Sequence, residues 1–245
     1  MPETDSRLRR PHGQPTGRQE LKNAAPPSPP PPSPKAIIFD WDNTLVDSWP
    51  VIHEAFRAAF DAFAIPPWTP EETRLRVGRS MRDSFPGIFG ERWRQAGEIF
   101  YRRFEEIHLE RLQPLPGAAE MLTALTEEGI YLGVVSNKKG DYLRQEAELL
   151  GWNGFFGRLI GALDAPRDKP APETVTMALS GSGLEAGPNV WFAGDAAVDL
   201  ECARNAGCLP VLLRPQWPET DEFNGCPGTL HVPDFQAICN FALKL

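Results

Sequence analysis

The sequence predicts an α/β fold, a Rossmann-like parallel sheet core with helices on both faces, plus an inserted all-α cap domain. Three observations predict it. From residue 116 onward, short apolar runs alternate with amphipathic stretches, the pattern of repeated strand–helix units in a parallel sheet covered on both sides. The apolar run 36–39 reads as a fully buried first strand of the same sheet. Between these parts, residues 48–112 carry helical spacing and no strand-like alternation, so a helical block interrupts the α/β pattern.

The elements follow in order. Residues 1–34 hold ten of the 26 prolines and end in PPSPPPPSP. Such a segment buries too little apolar surface to offset its ordering entropy, and reads as a disordered tail with polyproline II character. A docking peptide for a proline-binding domain is the sharper alternative. The folded part is expected to begin at Lys35. In 49–64, Val51, Ile52, Ala55, Phe56, Ala59, Phe60 and Phe63 form a wide apolar stripe at helical spacing. More helical pattern covers 70–77 and 91–112. A helix over 117–128 stops at Gly129, a strand spans 130–137, and a helix over 141–152 ends at Gly151. A short strand near 158–163, a helix near 172–180, a strand at 189–195 and a helix at 199–206 come next. A strand at 209–213, a weak strand near 229–232 and a closing helix complete the chain. The expected organisation is a tail (1–34), an α/β core (35–47 with 113–245) and a helical insertion (48–112), with no internal repeat.

Composition narrows the function. The 245 residues are 41% hydrophobic and 24% charged, with a formal net charge of −8. The tail holds five Lys/Arg and three Asp/Glu, so the rest is near −10. An acidic body argues against nucleic acid or an anionic membrane as the main partner, while leaving room for a local basic pocket. The four cysteines form no C-x-x-C pair and read as reduced structural thiols. No apolar run approaches the roughly 18–20 residues of a membrane span, and the N-terminus lacks a signal peptide's apolar core. A cytoplasmic protein, monomer or homodimer, is expected.

Chemistry-bearing residues gather at strand ends, where sites form in such sheets. The first group is Asp40-Trp41-Asp42-Asn43-Thr44. Residues two apart in an extended stretch point the same way, which would bring Asp40 and Asp42 towards one pocket. Carboxylates so close repel unless a cation or proton separates them. The second is Ser136-Asn137, whose hydroxyl and backbone N–H groups suit a phosphoryl oxygen. The third is Lys169, pushed towards an extended conformation by Pro170. The fourth is Asp195 and Asp199, two acids just past a strand, suited to a hard cation such as Mg²⁺. Taken alone, each has a plainer reading: a capped turn, a polar turn, a solvated lysine, and a helix N-terminus with favourable acids. Order, spacing and placement together make them specific.

With these four motifs the chain resembles the haloacid-dehalogenase-like superfamily of phosphohydrolases over nearly all of 35–245. DWDNTL resembles the first motif, and Ser136, Lys169 and GDAAVD the other three. VGRS (77–80) is similar to cap segments of the phosphoglycolate phosphatase-like branch. The resemblance implies Asp40 as nucleophile, an aspartyl-phosphate intermediate, and Asp42 as proton donor and then base. It implies Mg²⁺ held by Asp40, the Asp42 carbonyl, Asp195 and Asp199. Thr44, Ser136, Asn137 and Arg79 would contact phosphate or substrate, with Lys169 balancing charge. The physical needs of phosphoryl transfer agree with this set. Trp41 departs from the small or aliphatic residue usual there and should point into the packing of the sheet. Asn43 replaces a glycine and tolerates positive φ. Asp47 reads as a hinge or capping residue at the entry to the helical block.

His53 and His108 read as surface or packing residues, and Phe85, Phe89, Trp93 and Phe100 as the core of the helical block or its contact with the sheet domain. The leading expectation is a Mg²⁺-dependent phosphatase for a small phosphorylated metabolite, with 2-phosphoglycolate as the best single guess. A β-phosphoglucomutase-like phosphomutase shares the motifs and remains open. Dehalogenase activity fits less well, because Asp42 supplies an acid/base that carbon–halogen displacement does not use. A signalling receiver domain has no place for a helical insertion after the first strand, and a silent binding module sits poorly with four intact motifs.

Overall fold

A computed structural model describes residues 31–217 and 228–244. The proposed disorder of the tail concerns residues of which 1–30 lie outside that range. The described residues from Pro32 onward form one compact unit. It begins slightly before Lys35, since Pro34 is buried and the Trp191 indole N–H donates to the Pro32 carbonyl at 3.2 Å.

Among the described residues six parallel strands make the sheet: β1 (Ala36–Phe39), β2 (Tyr131–Lys139), β3 (Arg158–Ala162), β4 (Val190–Gly194), β5 (Leu209–Leu213) and β6 (Leu230–Val232). Their spatial order is β3-β2-β1-β4-β5-β6, with the first strand inside the sheet between β2 and β4. Alternate β1 side chains enter opposite cores. Ile37 and Phe39 pack with Trp41, Leu122 and Trp191, while Ala36 and Ile38 pack with Val135, Val175 and Phe192. Burial on both faces explains why β1 reads as a continuous apolar run.

Helices α1 (Trp49–Ala62), α2 (Pro70–Arg76), α3 (Met81–Phe89) and α4 (Trp93–Ile107) lie between β1 and β2. They share an aromatic core of their own, in which Phe56 sits 5.0 Å from Phe100 and Phe60 sits 5.4 Å from Phe89. Helix α3 falls between the stretches 70–77 and 91–112 that carry the helical pattern, and it contains Pro86 and Gly87, both poor helix formers. Phe85 and Phe89, four residues apart, are both buried, and that burial outweighs the lost backbone bond. Helix α4 is shorter than the periodic stretch 91–112, which begins in a 3-10 turn and ends past the helix. The remaining helices are α5 (Ala118–Glu127), α6 (Gly140–Leu149), α7 (Glu173–Ala178), α8 (Ala197–Asn205) and α9 (Phe235–Leu243). They flank the sheet as expected for an α/β fold.

Cys202, Cys208 and Cys239 are free and buried, and Cys226 lies outside the described residues. No described helix is long and apolar enough to cross a membrane.

Candidate active site

The carboxyl ends of β1, β2 and β4 and the loop after β3 converge on one pocket. Asp40 directly follows β1, held by its own N–H to the Ala193 carbonyl at 2.9 Å. Asn43 turns the chain with φ of 62°, a conformation Asn accepts more readily than most residues. The loop then folds back on itself, with the Leu45 N–H donating to the Trp41 carbonyl at 2.9 Å.

Lys169 is the centre of the charge arrangement. Its side chain is 2% exposed, and its ammonium lies 2.7 Å from Asp40 Oδ1 and 2.7 Å from Asp199 Oδ1. Burial alone would pull the lysine pKa down, but Asp199 and Asp40 together carry it above its ordinary value. Asp199 Oδ2 accepts the Ala196 N–H at 2.9 Å. Gly194 is required at the end of β4, since a Cβ there would meet Asp199 Cγ at 2.3 Å.

Asp40, Asp195 and Asp199 each offer a carboxylate oxygen within 4.8 Å of the others. The buried Lys169 ammonium meets two of these acids, Asp40 and Asp199, while the charge of Arg214 acts on Asp195. Burial, only partly offset by Lys169, pushes Asp40 up to about 7, with Asp199 and Asp42 adding to the rise. Burial and then the charges of Asp199 and Asp40 push Asp195 up to about 8. Such a cluster fits a hard divalent cation: three oxygen donors, buried at Asp40 and Asp199 and half-buried at Asp195, whose negative charge Lys169 and Arg214 offset only in part. Asp199 already gives one oxygen to Lys169 and the other to a backbone N–H, so it stands behind Asp40 and Asp195 as a donor.

The other expected residues fall as follows. Ser136 and Asn137 line the cavity, and the Ser136 hydroxyl accepts the Lys138 N–H at 3.2 Å. The Asn137 amide donates to the Gly78 carbonyl at 3.3 Å and to the Lys169 carbonyl at 3.4 Å, linking β2 to the helical insertion and to the lysine loop. Arg79, itself exposed, lines the same cavity from the segment between α2 and α3. Thr44 does not line it. This buried hydroxyl donates to Asp195 Oδ1 at 3.2 Å and so orients a carboxylate. Asp47 Oδ1 accepts the Trp49 N–H at 3.1 Å, at the start of α1.

Several partners escaped the sequence reading. Lys138 Nζ lies 2.7 Å from Asp42 Oδ1 and also contacts Glu146 Oε2. Glu146 takes the Trp41 indole N–H at 2.7 Å on that same oxygen, and its other oxygen lies 2.9 Å from His108 Nδ1. His108 is therefore no passive packing residue, and Trp41, although packed edge-on against Trp152 as its inward orientation implies, also has a polar task. Two signals were available. Lys138 lies two residues beyond Ser136, the spacing that places residues on one side of a strand. Glu146 falls on the apolar stripe of α6 beside Tyr142, Leu143 and Ala147, where an acid needs a partner. Arg82 of α3 grips Asp168, the residue before Lys169, by two bonds of 2.5 and 2.6 Å.

Above the acidic floor opens a cavity of about 700 Å³. Trp49, Phe56, Phe100, Tyr101 and Phe104 of the helical insertion form an aromatic wall, and Arg74, Arg79 and Lys139 add positive charge to its lining.

Comparison with known proteins agrees with this geometry. Residues 37–212 match the model of the haloacid dehalogenase-like hydrolase family. An N-acetylmuramic acid 6-phosphate phosphatase of Pseudomonas aeruginosa is 31% identical over 191 residues, covering 74% of this chain and 81% of that protein. A phosphoglycolate phosphatase of Caulobacter vibrioides is 31% identical over 185 residues, covering 72% and 78%. Among solved structures, a hydrolase of the same superfamily from Ehrlichia chaffeensis is 28% identical with a TM-score of 0.59, covering 89% of this chain and 99% of that one.

Proposed function

The chain belongs to the haloacid dehalogenase-like hydrolase family and is a phosphatase of that family, and from that premise we propose that it hydrolyses phosphomonoesters of small metabolites through an aspartyl-phosphate on Asp40. The observation that carries this reading is the buried Lys169 ammonium, 2.7 Å from Asp40 and from Asp199, at the carboxyl edge of the sheet with Asp195 alongside.

In the first step an Asp40 carboxylate oxygen bonds to phosphorus while the bond from phosphorus to the ester oxygen breaks. That oxygen takes a proton from Asp42 and departs as the alcohol. In the second step a water oxygen bonds to phosphorus, the bond to Asp40 breaks, and Asp42 receives the proton lost by water. Splitting one displacement into two is the usual benefit of a covalent nucleophile, and reversal of the acid's role follows. Ser136 and the Asn137 backbone orient the phosphoryl oxygens, and Lys169 balances the charge that Asp40 and the phosphoryl group bring together. Mg²⁺, held by the Asp40 carboxylate, the Asp42 backbone carbonyl and Asp195 with Asp199 behind them, would neutralise further negative charge on the phosphoryl group. The insertion of residues 48–112 serves as a cap that excludes water and contacts the leaving group.

The test is phosphate release from a panel of phosphoesters with Mg²⁺, beside the Asp40→Asn variant. Release that disappears in the variant supports the reading, and undiminished release removes Asp40 as nucleophile. Isomerised sugar phosphate without free phosphate would favour the phosphomutase instead.

A second reading concerns the leaving group. 2-Phosphoglycolate is the first ester to test, because it is the substrate named for several relatives. It displaces roughly 150 Å³, taking about five waters' worth of volume at ~30 Å³ each. The cavity of about 700 Å³ and its aromatic wall favour a larger ester with an apolar face.

A further inference from the structure

The ammonium of Lys138 is buried between two carboxylates, hydrogen-bonded to Glu146 and in an ion pair with Asp42 Oδ1 at 2.7 Å, outside hydrogen-bond alignment. Of its surroundings, only Asp42 belongs to the reaction proposed above. Glu146 lies 1% exposed on α6 and is tied at both oxygens: Trp41 and Lys138 share Oε2, and His108 meets Oε1. His108 itself is clamped by ring contacts with Phe104, at 5.0 Å, and Tyr142, at 4.9 Å. The face of Phe104 also lies 5.3 Å from the lysine nitrogen. Glu146 is therefore a fixed post with three partners, and the lysine hung from it reaches one side chain of the reacting set. A buried glutamate and lysine in the core of a small domain are costly unless fully paired, so their stability value over apolar residues is low. Their arrangement is better explained by what they hold.

We propose that Lys138 and Glu146 are positioning residues for proton transfer: Glu146 fixes Lys138, and Lys138 fixes the Asp42 carboxylate where it meets the leaving oxygen. Trp41 completes the device. The residue between the two aspartates, which departs from the residue usual there, donates its indole N–H to the same post, so the first motif is anchored both through the Asp42 side chain and through its neighbour. His108 follows the last turn of α4 and ties the end of the helical insertion to the same glutamate.

The inference rests on Asp42 being the proton donor, and the experiment separates the two claims. The full chain is assayed with Mg²⁺ on two esters, 2-phosphoglycolate, whose alcohol leaves only with a proton, and 4-nitrophenyl phosphate, whose phenolate leaves readily without one. kcat/KM is compared for Asp42→Asn, Lys138→Met, Trp41→Phe and the double variant Asp42→Asn/Lys138→Met. General acid catalysis contributes about 10²- to 10⁴-fold. Asp42→Asn should lose about that factor on phosphoglycolate and far less on the aryl ester. Lys138→Met should show the same selective loss, roughly 10-fold to 100-fold, and should add nothing to Asp42→Asn in the double variant, since residues acting as a unit are not additive. Trp41→Phe keeps an aromatic ring at this fully buried position, loses some packing volume, and removes one bond to Glu146, so beyond any uniform loss it should show a smaller loss of the same selectivity. It keeps the test decisive if Lys138→Met does not fold. Equal loss on both esters, or none, in Lys138→Met and Trp41→Phe would overturn the positioning role. Absence of selectivity in Asp42→Asn itself would overturn the proton-donor reading on which it rests, and this inference with it.

Discussion

Arg82 on α3 holds Asp168 by two bonds, of 2.5 and 2.6 Å, and Asp168 immediately precedes Lys169. The helical insertion thereby grips the loop that supplies the site's buried cation. The Asp168 side chain is 1% exposed and that of Arg82 30%. Its other acceptor bond, from the Leu163 N–H at 2.9 Å, cannot replace a guanidinium. Arg82→Ala should lower stability by about 1–3 kcal/mol in urea denaturation, the cost of a buried acceptor losing its partner. Arg82→Lys should recover only part, because an ammonium cannot make the paired bonds. Full stability in Arg82→Ala would show the contact to be incidental.

Lys169→Met leaves Asp40 and Asp199 buried without their shared cation. Removing one member of a buried ion pair costs about 3–5 kcal/mol. At pH 8 without metal the variant should unfold at lower urea by a corresponding amount, and in a separate assay with Mg²⁺ its phosphate release should vanish. A variant as stable as the parent would mean that the carboxyl groups are neutral in the metal-free protein.

Proton and metal binding should oppose each other in the acid cluster. The carboxyls of Asp40 and Asp195 titrate near 7 and 8 in the folded chain, against 3.8 as the ordinary value. Between those limits the folded chain retains protons that the unfolded chain has lost. The stability these groups contribute is thus present at low pH and lost as pH rises through about 7 and 8. Mg²⁺ competes with those protons, so the rise in Tm on replacing EDTA by Mg²⁺ should be larger at pH 8.5 than at pH 6. A metal effect on Tm that is the same at both values would place the metal elsewhere.

The aromatic wall should discriminate by size. With leaving alcohols matched in acidity, kcat/KM should rise about tenfold or more from 2-phosphoglycolate to an ester carrying a ring, since each buried apolar group adds about 1–3 kcal/mol of discrimination. Val77→Trp, in the segment after α2 that lines the cavity, should narrow that difference by reducing activity on the ring ester. Faster turnover of 2-phosphoglycolate than of every larger ester would exclude the larger substrate.

The local sequence determined a good deal. The alternation of apolar runs and amphipathic stretches specified the parallel sheet, because strands buried on both faces and helices buried on one face leave different periods in the chain. Asp40, Ser136, Lys169 and Asp195 were legible as strand-end residues in a fixed order, and the structure brings all four to one cavity. Asn43 was legible as a position able to take a left-handed turn, because it stands where the resembling family usually has glycine and tolerates positive φ. Tertiary structure decided the partners. That Asp199 faces Lys169, that Thr44 serves Asp195, and that Trp41, Lys138 and His108 meet at Glu146 depends on side chains up to 151 residues apart. Helix α3 was likewise decided by burial of Phe85 and Phe89 against a core that local propensity does not see. Spacing along a chain reports which face of its own element a residue occupies. Which charge it meets across the pocket is set by how separate elements pack, and that information is absent from any single stretch of sequence.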